Sequence, residues 1–520
     1  MVHPDTSARS GEGAGTGGWA WALPRLFALA ALLLVLLMTA PHGPGLSPDS
    51  AIYLSAAENL AAGHGLRDFT GEPLVRWAPL YPAALAAAAA LGLDLGAAAR
   101  CLNAVLFAAL VLLAARWIPW HVRDPRLATV ALAAVVVSPA LTRVSVYVWS
   151  EPLFLVLTLL CLLDLESFAR RGGRGRLARA ALWAAAATLT RYAGVSLLAP
   201  GLWVALVRPR AAPARRLGDA LLFSALALAP LAVWLARNRL VTGSLFGERA
   251  ASSYPPAASL WLALEQVSRW LLPPPVAAAP LRVVVLLALV GLAAWALARR
   301  GPEGDGAGDR APLAPAAVWA AAYFVILVAW TSTSAVEQIN ERYLAPLYLP
   351  LVALGAGALA ALAQGPRRRF PRGAALALML LWLAYPAAHT AWRWRDHADR
   401  GIDGYGTPAW RQSELARLVR AHPEAQPLYS NAPDAAYCLA GVPAKLSPRR
   451  TFYNSPEAAV RDLARARAAV AGAPGRRAYL AWFAGVERPF LYSVAELESV
   501  FTVRPLAVGA DGELYALEAR

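Results

Sequence analysis

Residues 79–93 read PLYPAALAAAAALGL, and whether this stretch crosses a bilayer decides the side on which every later loop lies. A transmembrane helix needs about 20 apolar residues. Eleven other apolar runs are read as spans: 20–40, 97–117, 127–143, 151–168, 177–190, 194–208, 217–237, 280–299, 313–331, 344–364 and 373–390. The pair 177–190 and 194–208 is short for two crossings. The bases collect in alternate loops: Arg116, Arg123 and Arg126; Arg170, Arg171, Arg174, Arg176 and Arg179; Arg208, Arg210, Arg215 and Arg216; Arg299, Arg300 and Arg310; Arg367, Arg368, Arg369 and Arg372. Cytoplasmic loops of multispanning proteins carry the excess of Arg and Lys. This set is therefore placed in the cytoplasm, together with the N-terminus. If 79–93 crossed, all later basic loops would change sides. The stretch is read instead as a helix lying in, or dipping into, the outer interface. Residues 41–96 then form one long external loop, of the kind that is functional or buried in protein. Eleven crossings put the C-terminus outside.

Composition points the same way. Of 520 residues, 58% are apolar and 16% charged, and the mean hydropathy is +0.45. Soluble domains run near about 25% charged, so an ordinary soluble enzyme is excluded. Three cysteines, Cys101, Cys161 and Cys438, exclude a disulfide scaffold and read as small core residues. The formal charge of +16 would suit a nucleic-acid binder. Its bases lie in short clusters between apolar runs, however, and no nucleic-acid partner is expected. Residues 1–18, rich in Gly and Ser, read as a disordered cytoplasmic N-terminus. The run from Trp19 to Ala40 is longer than a signal h-region and is read as a retained first span. Residues 19–390 form the transmembrane unit. In residues 391–520, helix-like segments (408–421, 455–471) alternate with strand-like ones (426–430, 477–484, 500–508, 512–518), which suits one small soluble α/β domain. The expected fold class is an all-α polytopic protein of the cell membrane with a small C-terminal α/β extracytoplasmic domain.

Charged residues near membrane spans are costly and usually functional. Here they gather on the expected outer side. The first loop holds Asp49, Glu58, His64, Arg67, Asp68, Glu72 and Arg76; the second holds Arg143 and Glu151; Arg191 sits between two short spans; Glu337, Asn340, Glu341, Arg342 and Tyr343 form a further group. A transporter places such groups nearer mid-membrane, whereas a site at the outer surface suits an enzyme acting on a lipid headgroup.

Several short motifs follow one another along the chain: Asp49-Ser50-Ala51-Ile52-Tyr53 with Ala57, Leu60 and Gly63-His64-Gly65; Ala78-Pro79-Leu80-Tyr81-Pro82; Ser150-Glu151-Pro152-Leu153; Thr190-Arg191-Tyr192-Ala193-Gly194; Arg342-Tyr343-x-x-Pro346; and Ser430-Asn431-x-Pro433 with Leu439-x-Gly441. The series resembles the GT-C glycosyltransferases over most of residues 20–450. The likeness is to the family 39 group of protein O-mannosyltransferases, aminoarabinose lipid A transferases and bacterial relatives. The resemblance implies a GT-C-like bundle and a polyprenyl-phosphate-sugar donor. It also implies a lipid, glycan or protein acceptor on the outer side, and a single inverting displacement with an Asp of the first loop as general base. The chemistry asks for the same parts. A hydroxyl nucleophile needs a carboxylate to take its proton, and a departing phosphate is met by Arg through paired hydrogen bonds.

On this reading Asp49 is the base and Arg342, Arg191 and Arg76 are the donor-phosphate ligands, with Glu151, Tyr53, Tyr343 and Arg100 in support. Each also has a structural reading. Asp49 sits at the start of a helix over 50–62. Arg342 could pair with Glu341 or snorkel, and Arg191 could pair with Glu151. Glu151 opens a span, where an acid favours the helix N-terminus. Arg100 could mark the interface, and the tyrosines could belong to an aromatic belt. Trp77 stands where the aminoarabinose transferases carry a Lys, so Arg76 would supply that contact. Ser50 stands where the protein O-mannosyltransferases have a Glu. Asp49, Glu58 and His64 match no defined metal motif, and no cofactor is called for. A lipid-linked-sugar flippase, and a catalytically inactive member acting as an assembly partner, remain the alternatives.

Overall fold

Punctuation by Pro, Ser and Asp sets where the helices begin. In the computed structural model, which describes residues 16–207, 211–298, 314–364 and 371–520, the chain opens with α1 (Thr16–Met38), α2 (Pro48–Ala61), α3 (Leu80–Ala90) and α4 (Leu95–Trp117). Then follow α5 (Pro125–Val136), α6 (Pro139–Val146), α7 (Glu151–Arg171), α8 (Arg174–Thr190) and, after a 3-10 turn at Tyr192–Leu197, α9 (Leu198–Leu206). The bundle is completed by α10 (Pro213–Thr242), α11 (Pro256–Ser268), α12 (Ala279–Ala298), α13 (Ala314–Thr333), α14 (Glu341–Leu344), α15 (Tyr348–Gln364) and α16 (Arg372–Arg400). The expected disorder over 1–18 is corrected at its end, since residues 16–18 already belong to α1; residues 1–15 lie outside the described residues, as do Arg208, Arg210, Arg299, Arg300, Arg310, Arg367, Arg368 and Arg369.

Among the described residues, seven helical stretches are long and apolar enough to cross a membrane: Leu95–Trp120, Pro125–Val146, Glu151–Arg171, Pro213–Thr242, Pro315–Thr333, Glu341–Ala363 and Arg372–Arg400. The other expected spans fall on the shorter helices Ala22–Met38, Tyr192–Leu206 and Ala279–Trp295 and on α8. The run read as one span over 127–143 breaks at Ser138, whose Oγ accepts from Leu141 N at 3.2 Å. Pro139, with no N–H to give, then restarts the helix as α6. The decisive stretch forms α3, of 11 residues. At about 1.5 Å per residue it is far too short to cross a core of about 30 Å.

One large core runs through the bundle, with Phe107, Trp117, Phe154, Phe168, Trp319, Tyr323 and Tyr348 fully buried. Leu221, Val233 and Leu381 point outward, 61%, 71% and 74% exposed, which suits a lipid-facing surface. Cys161 is buried, but Cys101 is exposed on α4, a correction to its reading as a core residue.

The C-terminal domain begins with α17 (Pro408–Arg411) and α18 (Glu414–Ala421) and builds a five-stranded mixed sheet. Its strands are β1 (Leu428–Ser430), β2 (Lys445–Leu446), β3 (Arg477–Phe483), β4 (Phe501–Gly509) and β5 (Gly512–Ala519), in the order β2-β1-β3-β5-β4. β1 runs parallel to β2 and β3, and β5 antiparallel to β3 and β4. Side chains alternate across β3: Ala478 and Leu480 join one core, Ala481 and Phe483 the other. The helix read over 455–471 starts only at Asp462. Ahead of it the chain turns back on itself, closed by an isolated bridge between Thr451 and Ala458 with Asn454 at φ 49°.

Candidate active site

Four helix ends bring the charges together. Asp49 lies in the first turn of α2, which Ser47 and Ser50 close with a capping box behind Pro48. Glu151 is the first residue of α7, Arg191 follows α8 in extended backbone, and Arg342 lies in α14 behind the N-cap Asn340. Arg342 is the hub. Its Nη1 lies 2.7 Å from Asp49 Oδ2, and its Nε donates to Glu151 Oε1. Arg191 Nη1 reaches the same Glu151 oxygen at 2.7 Å and donates to Ser150 Oγ at 3.2 Å. Tyr53 OH is 3.1 Å from Ser150 Oγ. The Trp149 ring lies under the Arg342 guanidinium at 4.0 Å and is fixed by its own Nε1 donating to Ser47 Oγ at 2.7 Å.

The two carboxylates thus offset two guanidiniums, which is what burial of charge demands. Glu151 is 1% exposed, and Asp49, at 26%, is the open member. Among the described residues, Glu151 Oε2 and Arg191 Nε have no hydrogen-bond partner. Burial pushes the Asp49 carboxyl up, but the Arg342 guanidinium, with Trp77 Nε1 donating at 3.0 Å, holds it below its ordinary 3.8. Burial pushes Glu337 the other way, above its ordinary value. Its Oε1 accepts from Asn340 Nδ2 at 2.9 Å.

A second group adjoins the first. Arg76 follows Val75, whose carbonyl accepts from Tyr192 OH at 2.9 Å, and Tyr192 is the residue after Arg191. Burial lowers the Arg76 pKa, and Arg249 and Arg449 lower it further by repulsion. Arg449 is taken up by Asp462 and Glu248. Among the described residues, Arg249 has no ion pair or hydrogen-bond partner; its guanidinium lies 5.9 Å and 5.7 Å from the ring centroids of Phe246 and Trp330. Here positive charge is left over.

Of the residues singled out in the sequence, Asp49, Glu151, Arg191, Arg342 and Tyr53 share one hydrogen-bonded cluster. Tyr343 sits beside it, its carbonyl accepting from Tyr323 OH at 2.7 Å. Arg76 stands in the adjoining basic group. Arg100 is elsewhere: it donates to Thr39 Oγ1 and the Leu36 carbonyl, each at 2.7 Å, and ties α4 to α1. Arg342 bypasses its neighbour Glu341, which pairs with Arg143 and Arg393. Glu58 binds Tyr437, and no group of three metal-ligating side chains occurs among the described residues. Sequence reading missed Arg249, Arg449, Trp77 as a partner of Asp49, and Trp149. The one signal for Arg249 was an Arg beside Phe246 in the loop after α10.

No family profile and no curated protein matches the chain. Solved structures do. ArnT from Cupriavidus metallidurans, in the apo state, superimposes with TM-score 0.61 at 13% identity, over 97% of this chain and 98% of that one. The same protein bound to undecaprenyl phosphate gives 0.61 at 14%, over 96% and 98%. The chain has the GT-C fold. Arabinofuranosyltransferase AftD from mycobacteria aligns with TM-score 0.50 at 18% identity, over 95% of this chain and 40% of that larger one. The superposition on ArnT takes in the bundle and the C-terminal domain alike, beyond the residues 20–450 over which the motifs run.

Proposed function

We propose that the protein is an integral-membrane glycosyltransferase that moves a monosaccharide from a polyprenyl-phosphate donor to an acceptor hydroxyl at the outer face, with inversion. The observation that carries this is the placement of an accessible carboxylate, Asp49, beside a basic group with unneutralised charge. The neighbouring fold supports it, since ArnT is described bound to undecaprenyl phosphate. The positive-inside pattern supports the outer face, with the N-terminus cytoplasmic and residues 391–520 extracytoplasmic.

The acceptor oxygen attacks the anomeric carbon as the bond from that carbon to the phosphate oxygen breaks. The phosphate leaves with the bonding pair, and the acceptor proton passes to Asp49. A lowered pKa keeps Asp49 ionised and ready, and the Trp77 indole fixes its orientation. Arg76 and Arg249 take the phosphate, whose charge rises as it leaves. Arg342 and Arg191 stand nearer the carboxylates and hold Glu151 and Asp49 in place.

The test uses purified protein in detergent with labelled polyprenyl-phosphate sugars and a cell-envelope extract as acceptor source. Asp49→Asn should slow donor consumption by about 10²- to 10⁴-fold, the usual contribution of a general base, while donor still binds. Equal consumption by wild type and variant would remove Asp49 from that role. Donor binding without consumption by either would point to a flippase or an inactive relative.

A further inference from the structure

We infer that the C-terminal domain is a positioning device for Asp49, holding α2 at both ends through Tyr405 and Tyr437. The inference rests on Asp49 being the base and concerns how that base is kept in place.

The chain entering α2 is layered between two other segments. On one side, Gly45 N donates to the Val146 carbonyl at 3.0 Å, and Val148 N donates to the Gly45 carbonyl at 3.1 Å. On the other side lies the linker from α16 into the C-terminal domain, where Tyr405 N donates to the Leu46 carbonyl at 2.9 Å. The layers touch with no room for a side chain. A Cβ on Gly45 would lie 2.6 Å from both Ile402 Cγ2 and Tyr147 Cδ1. Gly404 has φ +100°, and a Cβ there would come within 1.9 Å of the Leu46 carbonyl oxygen. Leu46 is three residues ahead of Asp49, so any shift of the linker is passed directly to the first turn of α2.

The domain holds that linker by a buried side chain. Tyr405 is 8% exposed, and its hydroxyl donates to Asp434, itself 4% exposed. Arg488 Nη2 fixes the two Asp434 oxygens at 3.1 and 3.3 Å. Three residues on, Tyr437 reaches the other end of α2. Its hydroxyl donates to Glu58 Oε2 at 2.5 Å, and its ring stacks on Phe69 with centroids 5.2 Å apart and planes at 14°. Asp434 and Tyr437, three apart in one helical segment, lie on the same face. A single turn of the C-terminal domain therefore addresses both ends of the helix that carries the base. Residues 50–57 of α2 are buried on every face, and this packing keeps the helix inside the fold. The added polar grips fix its rotation and axial position, to which proton transfer is sensitive: a displacement of about 1 Å costs on the order of 10²-fold in rate.

Tyr405→Phe and Tyr437→Phe each remove one hydroxyl and keep the ring, and Gly404→Ala displaces Leu46. We would measure kcat, donor KM, binding of undecaprenyl phosphate, thermal stability, and deuterium exchange of residues 50–58. The expected result is a fall in kcat of roughly 3- to 10-fold for each Phe variant and on the order of 10²-fold for Gly404→Ala. Donor KM and phosphate binding should stay within about two-fold, a change of under about 0.5 kcal/mol. Glu58→Gln, whose amide oxygen still accepts, should match wild type; Glu58→Ala should match Tyr437→Phe, and the two together should be no worse. Unchanged kcat in the Tyr405 and Tyr437 variants, or losses matched by equal losses of phosphate binding and stability, would overturn the inference. Deuterium exchange separates the two readings. If Asp49→Asn proves fully active, the base assignment fails. Faster exchange of 50–58 in the Phe variants would then still demonstrate the grip on α2, and unchanged exchange would dismiss it.

Discussion

Glu151→Gln isolates the ion-pair cluster from the chemistry. Glu151 is 1% exposed and serves Arg342 and Arg191 through one oxygen. Replacing it by an amide of the same shape leaves two guanidiniums facing Asp49 alone, with one positive charge uncompensated. Removing one partner of a buried pair costs about 3–5 kcal/mol. The amide oxygen still accepts one bond and Asp49 is part-exposed, so about 2–4 kcal/mol is expected here. The assay is unfolding of the purified protein in detergent, at fixed protein and lipid concentration. Glu151→Gln should unfold well before wild type. Glu151→Gln combined with Arg191→Gln restores charge balance and should recover part of the loss, giving a coupling of opposite sign to the single effects. If Glu151→Gln unfolds with wild type, or the second substitution adds to the loss of the first, Glu151 is not the ionised bridge, and the cluster must be redrawn.

Other outcomes are as direct. The folded state holds Asp49 below its ordinary 3.8; its contribution to stability is therefore full above that value and lost as pH falls through the lower folded one. Wild type should lose more stability than Asp49→Asn on acidification from about pH 5 to about pH 3. Glu337 has the opposite sign: the fold raises it above 4.5 and favours its neutral form, so Glu337→Gln should gain in relative stability as pH rises through that range. Arg249→Gln should weaken undecaprenyl-phosphate binding by about 10- to 100-fold, the worth of a hydrogen bond to a charged group. Thermal stability should change little, because among the described residues Arg249 makes no ion pair or hydrogen bond and only long contacts to the Phe246 and Trp330 rings. Trp149→Phe keeps the ring under Arg342 but drops the bond to Ser47, and should cost about 1 kcal/mol of stability.

Much of this protein was legible because hydrophobicity is additive along the chain. Runs of about 20 apolar residues declare spans wherever they occur, and clustered arginines mark alternate loops. The stretch 79–93 was kept from crossing by the sidedness of the basic loops, and the 11 residues of α3 are too few to cross. Four of the five strands of the C-terminal domain showed through as alternating short runs; the two-residue β2 did not, and the helix before β3 begins later than its composition suggests. The helix start at Glu151 could be read in the sequence and that of α2 nearly so, its N-cap being Ser47 where Asp49 was expected, but the break at Ser138-Pro139 was hidden inside a continuous apolar run.

Pairing was a different matter. Asp49, Glu151, Arg191 and Arg342 could be named one by one, since a charge beside a span is costly wherever it stands. Which charge meets which depends on how four helix ends converge, and no local rule reports it. Arg342 and Glu341 are adjacent in sequence yet serve different partners, because consecutive residues of a helix turn point about 100° apart. Arg249 gave almost no signal, since a lone Arg in a loop is ordinary until Arg76 is found beside it. The grip on α2 was invisible: Gly404 and Leu46 lie far apart along the chain, and only the folded bundle brings one against the other. The amino-acid sequence by itself determined that this chain is a multi-span membrane protein with a small α/β tail and its charges at one set of helix ends. Tertiary structure alone decided which of those charges neutralise each other and which are left for a ligand, because Coulomb energy depends on distance in space and not on separation along the chain.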